Sequence, residues 1–289
     1  MVAAAAEIAD GRRATVREVC ECLSIPRSSF YDYRAKQGSR RDEQLRRLAP
    51  MILDIFWKHR RRYGTRRIIN ELSDAGVHVS RRKVAEIMKM QGLRAIQPKS
   101  FKPKTTESRH RLGYSPNLLL EDFVLTGPNQ LWVADITYIP LRSRRFAYLS
   151  MLMDRHSRRL IGWELADTMT EQLVIQSLRR AIDQRQPPPQ LIHHSDRGGQ
   201  YAGRQYRGLL RRASIRQSMS RAGDCYDNAF MESCFGTIKT ELEMTEYETT
   251  AKADQELSEY FAYYNRDRKH SSLGYQTPIQ FEVQNSGRK

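Results

Sequence analysis

The 289-residue sequence has only four cysteines, Cys20, Cys22, Cys225 and Cys234, and no Cys-x-x-Cys pair. That spacing supports neither a zinc knuckle nor a disulfide framework and fits reduced, structural thiols in a cytosolic protein. Long hydrophobic runs are also missing: none approaches the roughly 20 residues that a membrane span needs. Glu7 and Asp10 interrupt the apolar start too early for a signal peptide. No heptad pattern marks a coiled coil, and no low-complexity tract occurs. Acid is scarce beside base, with 33 Asp+Glu against 49 Lys+Arg, a formal net charge of +16.

An excess of that size points to a polyanionic partner, because each phosphate met by Lys or Arg releases a condensed counterion. Its distribution narrows the reading. Residues 1–110 hold 25 Lys+Arg and 12 Asp+Glu, whereas residues 111–289 hold 24 and 21. A DNA-gripping front end joined to an ordinary globular back end accounts for the asymmetry. The expected location is the cytoplasm, in association with the nucleoid and with no membrane partner.

The front end reads as two helix-turn-helix candidates. In residues 15–36, an apolar helix (Val16, Val19, Cys20, Leu23) meets a turn at Ser24-Ile25-Pro26, and a second helix starts near Ser28. In residues 44–93, Leu45, Leu48, Ile52, Ile55 and Phe56 recur near helical spacing. Thr65 is placed to cap a next helix that ends near Gly76, and Ser80 to cap a third closed by Gly92. Arg81, Arg82 and Lys83 sit at the start of that third helix, where a recognition helix meets DNA. The domain reading is an N-terminal helix-turn-helix segment over 1–43 and a helix-turn-helix DNA-binding domain over 44–100. A proline-rich basic linker over 101–124 and a catalytic core over 125–285 follow.

From residue 130 the pattern becomes α/β. QLWVADITYI, FAYLSMLMDRHS and RLIGWELAD predict three successive strands, and TEQLVIQSLRRAIDQR predicts an amphipathic helix. QLIHHSD is a short buried strand, GQYAGRQYRGLLRRAS a helix and IRQSMS a strand. Residues 227–244 and 250–265 are helical. This order predicts a mixed sheet with helices packed around it.

Three acids in this region need explaining. Asp135 sits mid-strand among apolar and β-branched neighbours, where an unpartnered carboxylate is costly. Asp196 ends a short strand just before Gly198-Gly199, the place where α/β folds set their functional groups. Glu232 lies on a helix whose buried stripe is expected to be Phe230, Cys234, Ile238 and Leu242. Gly236 and Lys239 follow Glu232 on another stripe, offering room for a ligand and a cation for a phosphate. Carboxylates without His or Cys partners favour hard cations, Mg²⁺ or Mn²⁺, over zinc. Two such ions can drive phosphodiester chemistry.

Thirty-five residues separate Asp196 from Glu232, and Lys239 follows seven after the Glu. This arrangement resembles the DDE transposase and retroviral-integrase superfamily. More narrowly, WVADITYI, HSDRGGQY, DNAFMESCFGTIKTE and YYNRDRKHSSLGYQTP are similar, in that order, to the orfB product of insertion-sequence-three-type transposases. The resemblance covers about 44–282. It implies a ribonuclease-H-like catalytic core preceded by an all-α helix-turn-helix region. It also implies metal-dependent cleavage at element ends and strand transfer to target DNA by the freed 3′-hydroxyl.

Asp135, Asp196 and Glu232 map onto that family's catalytic, metal-binding triad, and Lys239 onto its basic partner. Asn228, near the start of the Glu helix, is a candidate helix cap or DNA contact. Ala134 stands where the family often has Thr. The partners implied are the element's terminal repeats, target DNA and a second copy of the chain or more. The family commonly joins this frame to an upstream-frame product by frameshifting.

Two other readings compete. His194-x-x-Arg197 with Tyr226 outlines a tyrosine recombinase, which needs no metal, but the pattern is weak and leaves Asp135 and Glu232 unexplained. A non-catalytic DNA-binding repressor does not account for all three acids. Asp154 is expected to hold a turn or pair with an Arg, His193 and His194 to be structural, and Trp132 and Trp163 to be core residues. Tyr263, Tyr264 and Asn265, ahead of a basic run, either touch DNA or pack the last helix.

Overall fold

The computed structural model describes residues 15–37, 40–97, 113–119, 124–143, 145–221, 229–243 and 246–286. Its contacts divide the chain into two units, with the boundary between Ala95 and Ile96.

The first unit is all helix: α1 (Val16–Cys22), α2 (Arg27–Gln37), α3 (Arg40–Lys58), α4 (Thr65–Asp74) and α5 (Arg81–Met90). Thr15 and Glu18 close α1 with a reciprocal capping box. The helix then packs on α2 through Val19, Cys20, Ile25 and Phe30. A larger core gathers Ile52 and Phe56 of α3, Ile68 and Leu72 of α4, and Val84 and Ile87 of α5. Ser80 caps α5 as expected, its hydroxyl accepting from Lys83 N at 3.3 Å. Thr65 does not cap α4. It is the first helical residue, Gly64 takes the cap position without a side-chain bond, and the Thr65 hydroxyl accepts from Arg81 Nε at 3.4 Å instead. Past α4 and α5, Gly76 and Gly92 take the left-handed φ of 74° and 63° that a side chain resists.

The second unit runs β1 (Leu131–Pro140), β2 (Phe146–Asp154), β3 (Leu160–Ala166), α6 (Glu171–Arg185), β4 (Ile192–Ser195), α7 (Gly199–Ala202) and α8 (Arg204–Arg212). After these come β5 (Arg216–Met219), α9 (Ala229–Glu241), α10 (Thr250–Arg266) and α11 (Pro278–Ser286). The sheet order is β3-β2-β1-β4-β5. The first three strands are antiparallel, while β4 pairs parallel to both β1 and β5. This is the mixed sheet with flanking helices that the order of elements predicts. The segment expected as one helix over 199–214 is split at Gly203, whose extended backbone ends α7 and starts α8. The sequence reading did not anticipate α11.

Side-chain alternation sends β1 into two cores. Leu131 and Val133 join Met151 and Met153 of β2 under α9 and α10, whereas Trp132 and Ala134 join Leu152 under α6 and α8. Both faces are therefore covered, which explains the near-continuous apolar runs of β1 and β2. Gly162 in β3 lets α6 come close: a Cβ there would lie 2.3 Å from the Ser177 carbonyl oxygen. Residues 113–119, placed in the linker by sequence, run beside β5. Leu118 N donates to Ser218 Oγ at 3.0 Å and Met219 N to the Pro116 carbonyl at 3.3 Å, which covers an otherwise open sheet edge. Among the described residues, no helix is long and apolar enough to cross a membrane.

Candidate active site

The parallel ladder between β1 and β4 ends with Val133 beside His194. Asp135 and Asp196 each lie two residues further on, so the two carboxylates stand level on adjacent chains. Asp135 Oδ1 accepts from Ile136 N at 2.8 Å, and Asp196 Oδ1 from Gly198 N at 3.0 Å. A Cβ on Gly198 would sit 3.0 Å from that same Asp196 oxygen, so the tight turn after β4 is built around a missing side chain. The nearby Tyr201 phenol is pushed well above its ordinary pKa, by burial first and then by Asp135 and Asp196. Both acids thus bear on one group. Ala134, in place of the family's frequent Thr, is fully buried in the core under α6 and α8.

Helix α9 supplies the third acid and the cation. Its buried stripe is Met231, Cys234, Phe235 and Ile238, while Phe230 and Leu242, expected in the stripe, only line its margin. Glu232 is exposed in the first turn and Lys239 is half-buried two turns later. Burial lowers the Lys239 pKa and Asp135 opposes that shift, so Lys239 is the α9 side chain presented to Asp135. Gly236 between them leaves open space, with nothing within 4 Å of a Cβ built there. Among the described residues, no three His, Cys, Asp or Glu side chains gather closely enough to hold a metal. The structure brings Asp135, Asp196 and Lys239 together and leaves Glu232 outside that group.

Of the remaining candidates, Arg81 and Arg82 are exposed at the start of α5. Lys83 is half-buried and pairs with Glu86 at 3.4 Å. Asn228 and Tyr226 lie outside the described residues. His194 shares a 2.8 Å hydrogen bond with Ser218 Oγ, and Arg197 Nε donates to the Ser220 carbonyl at 2.7 Å, so the recombinase pattern dissolves into structural contacts. His193 shares a 2.8 Å hydrogen bond with the Tyr206 hydroxyl, and burial lowers its pKa to about 3. Asp154 holds the turn after β2, accepting from the backbone N–H groups of Asn129, His156 and Ser157. Trp132 is fully buried, and Trp163 packs at the edge of the α9–α10 core.

In the motif YYNRDRKH, Tyr264, Arg268, Lys269 and His270 are buried, whereas Arg266 and Asp267 are exposed. Asn265 exchanges two hydrogen bonds with the backbone of Leu160, at 2.9 and 2.8 Å. Buried Arg268 forms a fork on Glu241 of α9, with its Nη2 at 2.7 Å and its Nε at 2.9 Å. A second ionic cluster went unseen in sequence. Glu282 of α11 takes Arg159 at 2.6 Å, Arg185 twice at 2.8 Å and Ser157 at 2.8 Å. Burial alone would raise its pKa, but hydrogen bonds from Arg185 and Arg159 outweigh that and lower it. Nothing in the sequence pairs Glu282 with Arg159 and Arg185, which lie about a hundred residues before it.

A mixed five-stranded sheet with Asp135 midway along β1 and Asp196 just past β4 is the frame of an integrase-type core. Family models agree: integrase core domain models match residues 126–225 and 213–278, and an HTH-like domain model matches residues 40–101. The chain is 37% identical over 265 residues to the insertion element IS600 uncharacterized 31 kDa protein of Shigella sonnei, covering 91% of this chain and 97% of that one. It is 36% identical over 277 residues to transposase InsF for insertion sequence IS3A of Escherichia coli, covering 94% and 95%. To the transposase of insertion element IS904 of Lactococcus lactis it is 37% identical over 241 residues, covering 83% and 94%. Among solved structures, the HTLV-2 integrase catalytic core domain in complex with magnesium matches 54% of this chain and 97% of its own at 15% identity, with a TM-score of 0.41. The chain belongs to the IS3 family of insertion-sequence transposases, DNA strand-transfer enzymes of the DDE type.

Proposed function

We propose that the helix-turn-helix unit binds the terminal repeats of the element, and that Asp135, Asp196 and Glu232 form the catalytic triad of cleavage and strand transfer. The observation that carries this reading is the level placement of Asp135 and Asp196 at the end of the β1–β4 ladder. The donor set fits a hard cation: two carboxylates side by side, with Lys239 already held near Asp135. Asp135, Asp196 and Glu232 would together hold Mg²⁺ or Mn²⁺, as two ions. Bound there, the ions supply activation of a water or a 3′-hydroxyl and neutralisation of the leaving oxygen.

The protein's own groups do the rest. Lys239 meets the phosphate and sets its orientation beside Asp135. Arg81, Arg82 and Lys83 face DNA from the start of α5, where backbone N–H groups add to their charge. Asn228 contacts DNA just ahead of α9. Acting on two element ends requires at least a homodimer, and a fusion with the upstream-frame product completes the working enzyme.

Calorimetric titration of the full chain with Mn²⁺ tests the metal site. Wild type takes up Mn²⁺, and both Asp135→Asn and Asp196→Asn lose most of that binding while keeping their melting temperature. Equal uptake by all three proteins removes these aspartates as ligands.

A further inference from the structure

The turn between β2 and β3 carries more positive charge than the described residues around it neutralise. Residues 154–159 contribute one acid, Asp154, and three arginines, Arg155, Arg158 and Arg159, while α11 adds Glu282. Both carboxylates are already committed. Asp154 accepts from three backbone N–H groups, and Glu282 serves Arg159, Arg185 and Ser157.

Among the described residues, Arg155 and Arg158 are left over. Both are half-buried, with guanidinium carbons 4.1 and 4.5 Å from the centroid of the Phe230 ring. Among the described residues, neither side chain donates a hydrogen bond or reaches a carboxylate. Burial, the largest cause in each case, lowers the pKa of both groups, and Arg158 lowers that of Arg155 further. Two desolvated like charges over one ring repel each other unless an anion joins them. Stacking on an aromatic face leaves the N–H edges of a guanidinium open to oxygen acceptors, and phosphate suits that fork.

We propose that Arg155 and Arg158, stacked on Phe230, form a clamp for a DNA backbone phosphate beside the first turn of α9. The clamp is separate from the Asp135–Asp196 pair. Phe230 precedes Glu232 by two residues, so a phosphate held there sets the register of the duplex against α9. The clamp does not depend on the metal reading.

Fluorescence anisotropy of a labelled terminal-repeat duplex, titrated with full chain across a range of KCl concentrations, tests it. The substitutions are Arg155→Gln and Arg158→Asn, the latter because position 158 has φ 59°, which Asn tolerates. The double variant is expected to flatten the slope of log K on log salt by roughly 0.9 for each phosphate lost. Its Mn²⁺ binding stays that of wild type, and Lys at both positions restores most of the slope. A slope that does not change, whatever the melting temperature does, overturns the clamp and leaves the pair as a lid on Phe230. Should the variants fail to fold, phenylglyoxal modification of wild type gives the same answer: the duplex protects Arg155 and Arg158, and equal labelling with and without DNA overturns the proposal.

Discussion

Asp135 and Asp196 stand level across the parallel β1–β4 pair, each two residues beyond the last ladder partners, Val133 and His194. Neighbouring strands lie about 4.8 Å apart. At that separation two carboxylates repel unless a cation lies between or beside them. Lys239 is one cation whose charge interacts with Asp135.

Lys239→Ala is expected to weaken duplex binding and flatten its salt dependence by roughly 0.9, one phosphate contact, while Mn²⁺ uptake is retained. Anisotropy and calorimetry on the same preparation separate the two effects. Unchanged DNA affinity together with unchanged activity would remove Lys239 from the phosphate.

Glu282→Ala leaves Arg185 and Arg159 buried against one another without their shared acid. Removing one partner of a buried ion pair costs about 3–5 kcal/mol. Urea denaturation should show a loss of that order, with α11 released from the turn after β2. A loss below about 1 kcal/mol, the scale of an exposed pair, would mean that water takes over the role of Glu282.

His193 imposes a pH dependence. Its folded pKa is about 3 against an unfolded value of 6.5, so between those limits the unfolded chain binds more protons. Its contribution is complete above about pH 6.5 and is lost as the pH falls toward 3. The lowered pKa of Glu282 acts in the same direction further down the acid range. His193→Gln, which keeps an acceptor for the Tyr206 hydroxyl, should remove up to one proton from the slope of stability against pH, about 1.4 kcal/mol per pH unit at most. Identical slopes for the two proteins would contradict a buried neutral imidazole.

Gly162→Ala pushes a methyl group against the Ser177 carbonyl and Ala181, on backbone that cannot swing away. Such overpacking costs about 1–3 kcal/mol. A thermal melt reads the loss. An unchanged midpoint would show that α6 can move off β3.

Much of this architecture was legible in the residues. The strand carrying Asp135 announces itself because both faces of the sheet are covered, which leaves a long run of apolar and β-branched residues around that acid, whereas Asp196 is marked by the short strand before it and the glycines after it. Ser80, Gly76 and Gly92 mark helix ends through local backbone chemistry, which is why they were readable. Thr65 misled because a cap depends on one residue of register, and Gly64 satisfies the same position with no side chain. On α9, helical spacing located Cys234 and Ile238 in the apolar stripe but named Phe230 and Leu242 where Met231 and Phe235 are the buried residues. Glu282 and Glu241 escaped for another reason. Their partners, Arg185, Arg159 and Arg268, lie far away in sequence, and only the fold brings them together. The position of Glu232, exposed and apart from the aspartate pair, likewise depends on how α9 sits over β1 and not on spacing.

The central claim is that carboxylates at the end of the β1–β4 ladder drive metal-dependent DNA cleavage. Strand cleavage of a labelled terminal-repeat duplex tests it most directly, with Mg²⁺, Mn²⁺ or EDTA, for wild type and Asp196→Asn. The account predicts nicking by wild type with either metal, none in EDTA, and none by Asp196→Asn under any condition. Cleavage that persists in EDTA with a protein–DNA adduct, or that survives in Asp196→Asn, would contradict it.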